Sequence, residues 1–353
     1  MNLPILAKNF VGNAIAGFPT EAEFKYGEHT SLKMSMDELK DLARDRSLRT
    51  REIHAQNDFY GHATVFKHYA GISNGTTLKA VVEHGLFFGG FVWDEDIKSC
   101  LPSILTYSRT RFPYLKAKTE KRLFAVGPMI AYAPHLLSAE SLRSEKLRLG
   151  RNLLVFPAHS THYVDSVFDI DEYCQHIAGL AASFDSVRIC LYWKDVLKGW
   201  GEKFAQHGFE CVTAGHIFDP LFLPRLKSLI ECAAFTTSNE LGTHLGYCVF
   251  LGKGHHLFSH NVRRQAQHTD ICKRDAPDRS GMPDVVETKK AFSSWADPPT
   301  QSQLEVADRY WGISEIKTGS ELRNVFAEAD ALYTKGRNPL FRLLDPCRWL
   351  ARS

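Results

Sequence analysis

Residues 232–256 read CAAFTTSNELGTHLGYCVFLGKGHH, and the order of residue types in this stretch decides the fold class. An apolar run ending in Ala233, Ala234 and Phe235 has the character of a buried strand. A polar turn of Thr236, Thr237, Ser238 and Asn239 follows it. Gly242 and Thr243 then open a segment, His244 to Leu251, whose apolar residues suit a buried helix. A strand that breaks into small hydroxyl residues and restarts as a helix presents free backbone N–H groups at the positive end of the helix dipole. Phosphate is the usual occupant of such a terminus. The same residue types also cap helices with no ligand, and the turn alone does not separate the two readings.

Working outward, the same rhythm recurs upstream. The strand-like run Asn152–Phe156 leads into Pro157-Ala158-His159-Ser160-Thr161-His162, and a helix is expected from Ile170 to Phe184. Strand Val187–Tyr192 ends in Trp193-Lys194, strand Phe209–Thr213 ends near Gly215-His216, and the helix Leu221–Glu231 leads back to the opening stretch. Repeated strand–helix units predict a Rossmann-like α/β domain with a parallel sheet. In such sheets ligands bind outside the carboxyl ends of the strands. Here those ends carry His159 to His162, Trp193-Lys194, Gly215-His216 and Thr236 to Asn239.

The first half is fainter. Helices are expected over Met36–Leu48, His54–Tyr69 and Ser138–Leu149, with short strands over Leu78–Val82, Ser103–Tyr107 and Leu123–Val126. Residues 261–300 are polar, without apolar periodicity, and read as a long surface loop. Helices resume over Gln301–Tyr310 and Gly319–Leu332.

Composition bounds the function. At 353 residues the chain has room for two domains. A net charge of +3 is too small to argue for nucleic acid. The eight cysteines form no C-x-x-C pair, and several sit in apolar runs (Cys190, Cys211, Cys248), so they read as small buried hydrophobes of a cytoplasmic protein. No run reaches the roughly 20 apolar residues of a spanning helix. The tail NPLFRLLDPCRWLARS mixes Leu, Phe and Trp with Arg342, Arg348 and Arg352; it suits either peripheral contact with the inner membrane face or docking on the protein. Asp94-Glu95-Asp96 and Asp169-Ile170-Asp171 have the D-x-D form of a cation site, but helix capping accounts for the second. No metal and no cofactor is assigned.

With these segments in view, the chain resembles GT-B-fold glycosyltransferases of bacterial surface-polysaccharide assembly (capsule or O-antigen). The matching pieces are VVEHGLFFGG, FAVGPMIAYA, LLVFPAHSTHYVDS, RICLYWKDVL, FECVTAGHIFDPLFLPRLKSLI and TTSNELGTHLGYCVFLGKGHH. YWGISEIKTGSEL, near the end, has the same look. The hydroxyl-rich turn and the His-bearing strand end resemble sialyltransferase-like and Kdo-transferase-like members, which use CMP-sugars. The chain has Pro157-Ala158-His159 where bacterial sialyltransferases carry a His-Pro pair, and Glu240 with Lys194 matches the retaining-hexosyltransferase pattern only loosely. The resemblance implies an acceptor-side Rossmann-like domain over 1–148 and a nucleotide-sugar domain over 149–300. It also implies C-terminal helices over 301–353 that cross back to the first domain. The implied partners are a nucleotide sugar and a glycan or glycolipid acceptor.

Glycosyl transfer must deprotonate an acceptor hydroxyl, or supply a carboxylate nucleophile, and must neutralise the departing phosphate. Glu83, at a strand end beside His84, is the candidate base or nucleophile; pairing with a nearby Arg is its alternative. His159 is placed to touch the leaving phosphate or the sugar carboxylate, with capping of the next loop as its alternative. Ser160, Thr161 and Lys194 offer further phosphate contacts, and Thr237, Ser238, Asn239, Gly242 and Thr243 form the phosphate cradle. His216 is expected near the base or ribose. Tyr60, His62, Arg109 and Arg111 are the candidate acceptor contacts.

Overall fold

A computed structural model describes residues 27, 33–48, 50–161, 163–266 and 278–335. The N-terminal apolar stretch, His162 and the arginine-bearing tail lie outside the described residues, and with them the expected membrane contact.

Two parallel sheets organise the chain. In the first half β1 (Ala80–Val82), β2 (Ser103–Thr106) and β3 (Arg122–Ala125) pair side by side in that order. The second half holds β4 (Asn152–Phe156), β6 (Ser186–Leu191), β7 (Glu210–Thr213), β8 (Phe235–Ser238) and β9 (Gly254–Leu257). They pair in the order β7-β6-β4-β8-β9, all parallel. A small antiparallel pair, β5 (Asp165–Val167) with β10 (Arg263–Gln265), flanks it. The near-continuous apolar runs of β4 and β6 follow from burial on both faces, the normal condition of a parallel strand between helices. The strand order is the Rossmann-like one: the chain builds outward from β4 to β7, then returns to the other side of β4 with β8. That reversal opens a crevice between the carboxyl ends of β4 and β8.

The two halves share one hydrophobic core, which runs from Phe66 and Leu105 through Val155 to Trp311. Trp311 is fully buried and lies against Phe88 of the first half, ring centroids 5.9 Å apart. Of the two helices expected to cross back, Gln301–Trp311 packs on helix His244–Phe250 of the second half and also meets the first half, its Arg309 carbonyl accepting the Ser108 hydroxyl. The chain then turns at Gly312 (φ 68°), where a Cβ would stand 2.3 Å from the Tyr107 carbonyl oxygen, so only glycine fits. Helix Gly319–Lys335 reaches the first half, donating from Arg323 to the Ala70 carbonyl at 2.9 Å and packing Phe326 on Phe66.

Three expectations need correction. Residues 261–300 are not one long loop: they carry β10 and the helix Pro283–Ala291, whose proline sits at the helix start, where the missing N–H costs nothing. Strand β9 escaped notice because GHHL looks polar. His255 is nonetheless fully buried, its ring bonded to Thr236 Oγ1 at 2.8 Å and Ser238 Oγ at 3.0 Å. Cys174, Cys190, Cys211, Cys232 and Cys248 are free and buried as expected, but Cys100 is disulfide-bonded. Among the described residues no helix is long and apolar enough to cross a membrane.

Candidate active site

The carboxyl ends of both sheets open onto one cluster of histidines and tyrosines. From the first half come Tyr60 and His62 of the segment before β1, His84 after β1 and Tyr107 after β2. From the second come His159 after β4, Tyr192 after β6, and His244 and Tyr247 of the helix after β8. The cluster is continuous across the halves. Tyr60 Oη lies 3.4 Å from Tyr192 Oη, and Tyr107 Oη lies 2.9 Å from Tyr247 Oη. The His159 ring sits 4.7 Å from Tyr192, and His244 stacks on Phe156 at 4.7 Å. Tyr60 has φ +59°, a left-handed conformation that a bulky residue adopts only when its surroundings impose it. Its N–H donates to the Ile217 carbonyl at 2.6 Å, and its ring lies on Phe222.

Burial sets the electrostatics. It pushes the His62 imidazole down to about 3, helped by the neighbouring His84. It lowers His84 to about 4 with a contribution from His54, and His159 to about 4 with one from Arg264. His244 falls to about 3 through burial and the presence of His159. Burial likewise raises Tyr60, Tyr107, Tyr192 and Tyr247. The cluster is therefore neutral at physiological pH: its imidazoles can accept hydrogen bonds and its phenols can donate them. His62 Nδ1, His84 Nδ1 and His244 Nε2 are buried and have no partner among the described residues.

Charge enters at the crevice between β4 and β8. Arg264 donates to the His159 carbonyl at 2.8 Å and to Ser166 Oγ, and pairs with the Glu240 carboxylate. Burial raises Glu240, opposed by Arg264. Asn239 ties the two strand ends together: its Oδ1 accepts the Ala158 N–H at 2.6 Å and its Nδ2 meets His260 Nδ1 at 3.0 Å. On the β6 side, the Asp195 carboxylate accepts the Ser160 N–H at 3.0 Å and is raised to about 6 by burial, which the Ser160 hydrogen bonds oppose.

Several expected site residues are engaged by partners within the fold. Glu83 is not a free base: it is buried, with Oε1 2.7 Å from Arg111 Nη2, and Oε2 accepts the Thr106 hydroxyl. Arg111 is not an acceptor contact either, since it is buried and spends its remaining donors on the Gly89 and Phe91 carbonyls at 2.7 and 2.8 Å. Arg109 points away, exposed and paired with Glu315 at 2.5 Å. The hydroxyls of the expected phosphate cradle are bonded within the fold. Thr237 Oγ1 donates to the His256 carbonyl at 2.9 Å and Ser238 Oγ to the Glu240 carbonyl at 2.9 Å. Thr243 Oγ1 accepts the Leu86 N–H of the first half at 3.1 Å. Gly242 lacks a side chain because a Cβ would stand 2.7 Å from the His244 ring. Ser160 is buried, taking Lys198 Nζ at 3.2 Å; Thr161 closes a turn on Val164, and Lys194 bonds the Thr161 carbonyl and lies 3.4 Å from Asp165. His216 is fully buried at the end of β7, its ring against Trp193 at 4.2 Å and its N–H on the Leu42 carbonyl at 3.0 Å. The D-x-D pairs are also absorbed: Asp169 caps the helix Ile170–Ala181 and Asp96 bonds His54 at 3.0 Å.

The structure thus brings together Tyr60, His62, His84, His159 and Asn239, and adds Tyr107, Tyr192, Glu240, His244, Tyr247 and Arg264. Tyr192 and His244 had a signal, since each directly follows a strand end or a Gly-Thr turn. Arg264 had none, because it reaches the crevice from β10. No protein-family model and no curated protein matches the chain. Among solved structures it is similar to the S. aureus MnaA–UDP co-structure, at 9% identity over 70% of this chain and 67% of that chain, with a TM-score of 0.35. That likeness is too slight to carry anything over.

Proposed function

We propose that the chain is a glycosyltransferase, moving a sugar from a nucleotide-activated donor to a glycan acceptor. The observation that supports it is the meeting of two parallel sheets' carboxyl ends at a partly buried, neutral histidine–tyrosine cluster, with the β4/β8 crevice opening beside it. In this reading the donor lies in the crevice and the acceptor against the first half, in the manner of a GT-B enzyme. The sequence resemblance favours a CMP-sugar over a UDP- or GDP-hexose. His84, neutral and with Nδ1 unpartnered, takes the acceptor hydroxyl proton as the new glycosidic bond forms. The sugar–phosphate bond breaks on the opposite side, and the nucleotide departs with the bonding electrons toward His159. Glu83, locked to Arg111, holds the loop that carries His84 rather than reacting.

A thermal-shift panel of CMP, UDP, GDP and NAD tests this. A nucleotide that binds only the native state at a hundredfold its Kd stabilises it by about 2.7 kcal/mol, a readily visible shift. Stabilisation by CMP, or by UDP or GDP, is the expected result. A response to NAD alone, or to none of the four, overturns the reading.

A further inference from the structure

The loop after β1 and the start of helix Asp94–Lys98 build a wall of rings beside His84. Phe87 and Phe91 lie 5.2 Å apart, Phe91 and Trp93 5.0 Å, and Phe87 and Trp93 6.3 Å. His84 stacks on Trp93 at 5.9 Å and meets Phe87 edge-on at the same distance. Four rings in one place would ordinarily be core, yet His84, Phe87, Phe91 and Trp93 are only half-buried. The polar atoms among them are also unpaired: the Trp93 indole N–H and His84 Nδ1 are buried without a protein partner.

Arg279 closes the wall from the second half. Its guanidinium lies over the Phe91 ring at 4.5 Å, and among the described residues its Nε is buried without a partner. Arg111 and Arg264 are near enough to repel it, and only Asp284 counters them. The two guanidinium groups that act on it are already paired, Arg111 with Glu83 and Arg264 with Glu240. A half-buried guanidinium near two others, opposed only by Asp284 and in no ion pair among the described residues, is a standing cost unless an anion joins it.

We propose that Phe87, Phe91, Trp93 and Arg279 form a subsite for a sugar ring bearing a carboxylate. The apolar C–H face of the pyranose lies on the rings, the indole N–H and His84 meet its hydroxyls, and Arg279 takes the carboxylate. The subsite rests on the transferase reading only for its role as the acceptor position beside His84. A charge-assisted hydrogen bond of about 1.5–3 kcal/mol makes the anionic ring about tenfold to a hundredfold tighter than its neutral counterpart.

The test is saturation-transfer NMR of the full chain with methyl β-glucuronide and methyl β-glucoside, alongside the nucleotide panel. The glucuronide is expected to bind at least about tenfold tighter. Arg279→Gln should bring it to the level of the glucoside, Arg279→Lys should keep part of the preference, and Trp93→Leu should weaken both sugars. Equal affinity for the two glycosides in the wild type, absence of saturation by either, or a preference that survives Arg279→Gln overturns the subsite. Nucleotide binding without any charge preference sinks the subsite alone. A charge preference without nucleotide binding leaves the subsite standing and sinks the transferase reading.

Discussion

Replacing Glu83 by Gln separates a structural carboxylate from a catalytic one. Its two oxygens face Arg111 Nη2 at 2.7 Å and Nε at 3.4 Å, and both residues are nearly sealed from solvent, 1% and 3% exposed. With charge centres about 4 Å apart and an effective dielectric near 20, their attraction is about 4 kcal/mol. Removing one member of a buried pair costs about 3–5 kcal/mol, because the remaining charge is left uncompensated. Against a typical total stability of about 5–15 kcal/mol this is a large fraction. Glu83→Gln and Arg111→Met should therefore each shift the urea midpoint strongly downward. The double variant should recover much of the loss, because no lone charge is then buried. A base would behave otherwise: Glu83→Gln would unfold at the wild-type urea concentration and lose turnover alone. That result, or strict additivity in the double variant, refutes the structural assignment.

Two further outcomes follow from the same geometry. His62, His84, His159 and His244 have folded values of about 3 to 4 against about 6.5 in the unfolded chain, so below pH 6.5 the unfolded state binds more protons. Stability is then complete above pH 6.5 and falls as pH drops toward 4, with a limiting slope of about 5 kcal/mol per pH unit if all four take part; urea midpoints unchanged between pH 7 and pH 5 would exclude this. At Gly246 an added Cβ would stand 2.2 Å from the Trp311 ring, so Gly246→Ala should cost about 1–3 kcal/mol or more in denaturant unfolding, and an unaffected variant would mean that Trp311 does not pack there.

How much was legible varied with the residue type that carried the information. The apolar runs of β4, β6 and β8 declare themselves because a strand buried on both faces cannot contain polar residues without partners. Strand β9 did not, because its two histidines are paired by Thr236, Ser238 and neighbouring rings, and such partners are not adjacent in sequence. The hydroxyls of Thr237, Ser238 and Thr243 looked available for phosphate for the same reason. Whether a hydroxyl is free depends on the strand or loop beside it, and those neighbours come from residues 86 and 256.

The amino-acid order by itself determined the α/β class, the run of parallel strands in the second half, and the placing of polar residues at strand ends. These are properties of local periodicity and of turn chemistry. The tertiary structure decided which ends meet and which charges are spent. Glu83 became half of a buried ion pair only because Arg111 folds beneath it, and Arg279 forms no ion pair among the described residues because Glu83 and Glu240 are already taken by Arg111 and Arg264. Long-range pairing of charges is set by packing and burial, and sequence spacing carries no record of it.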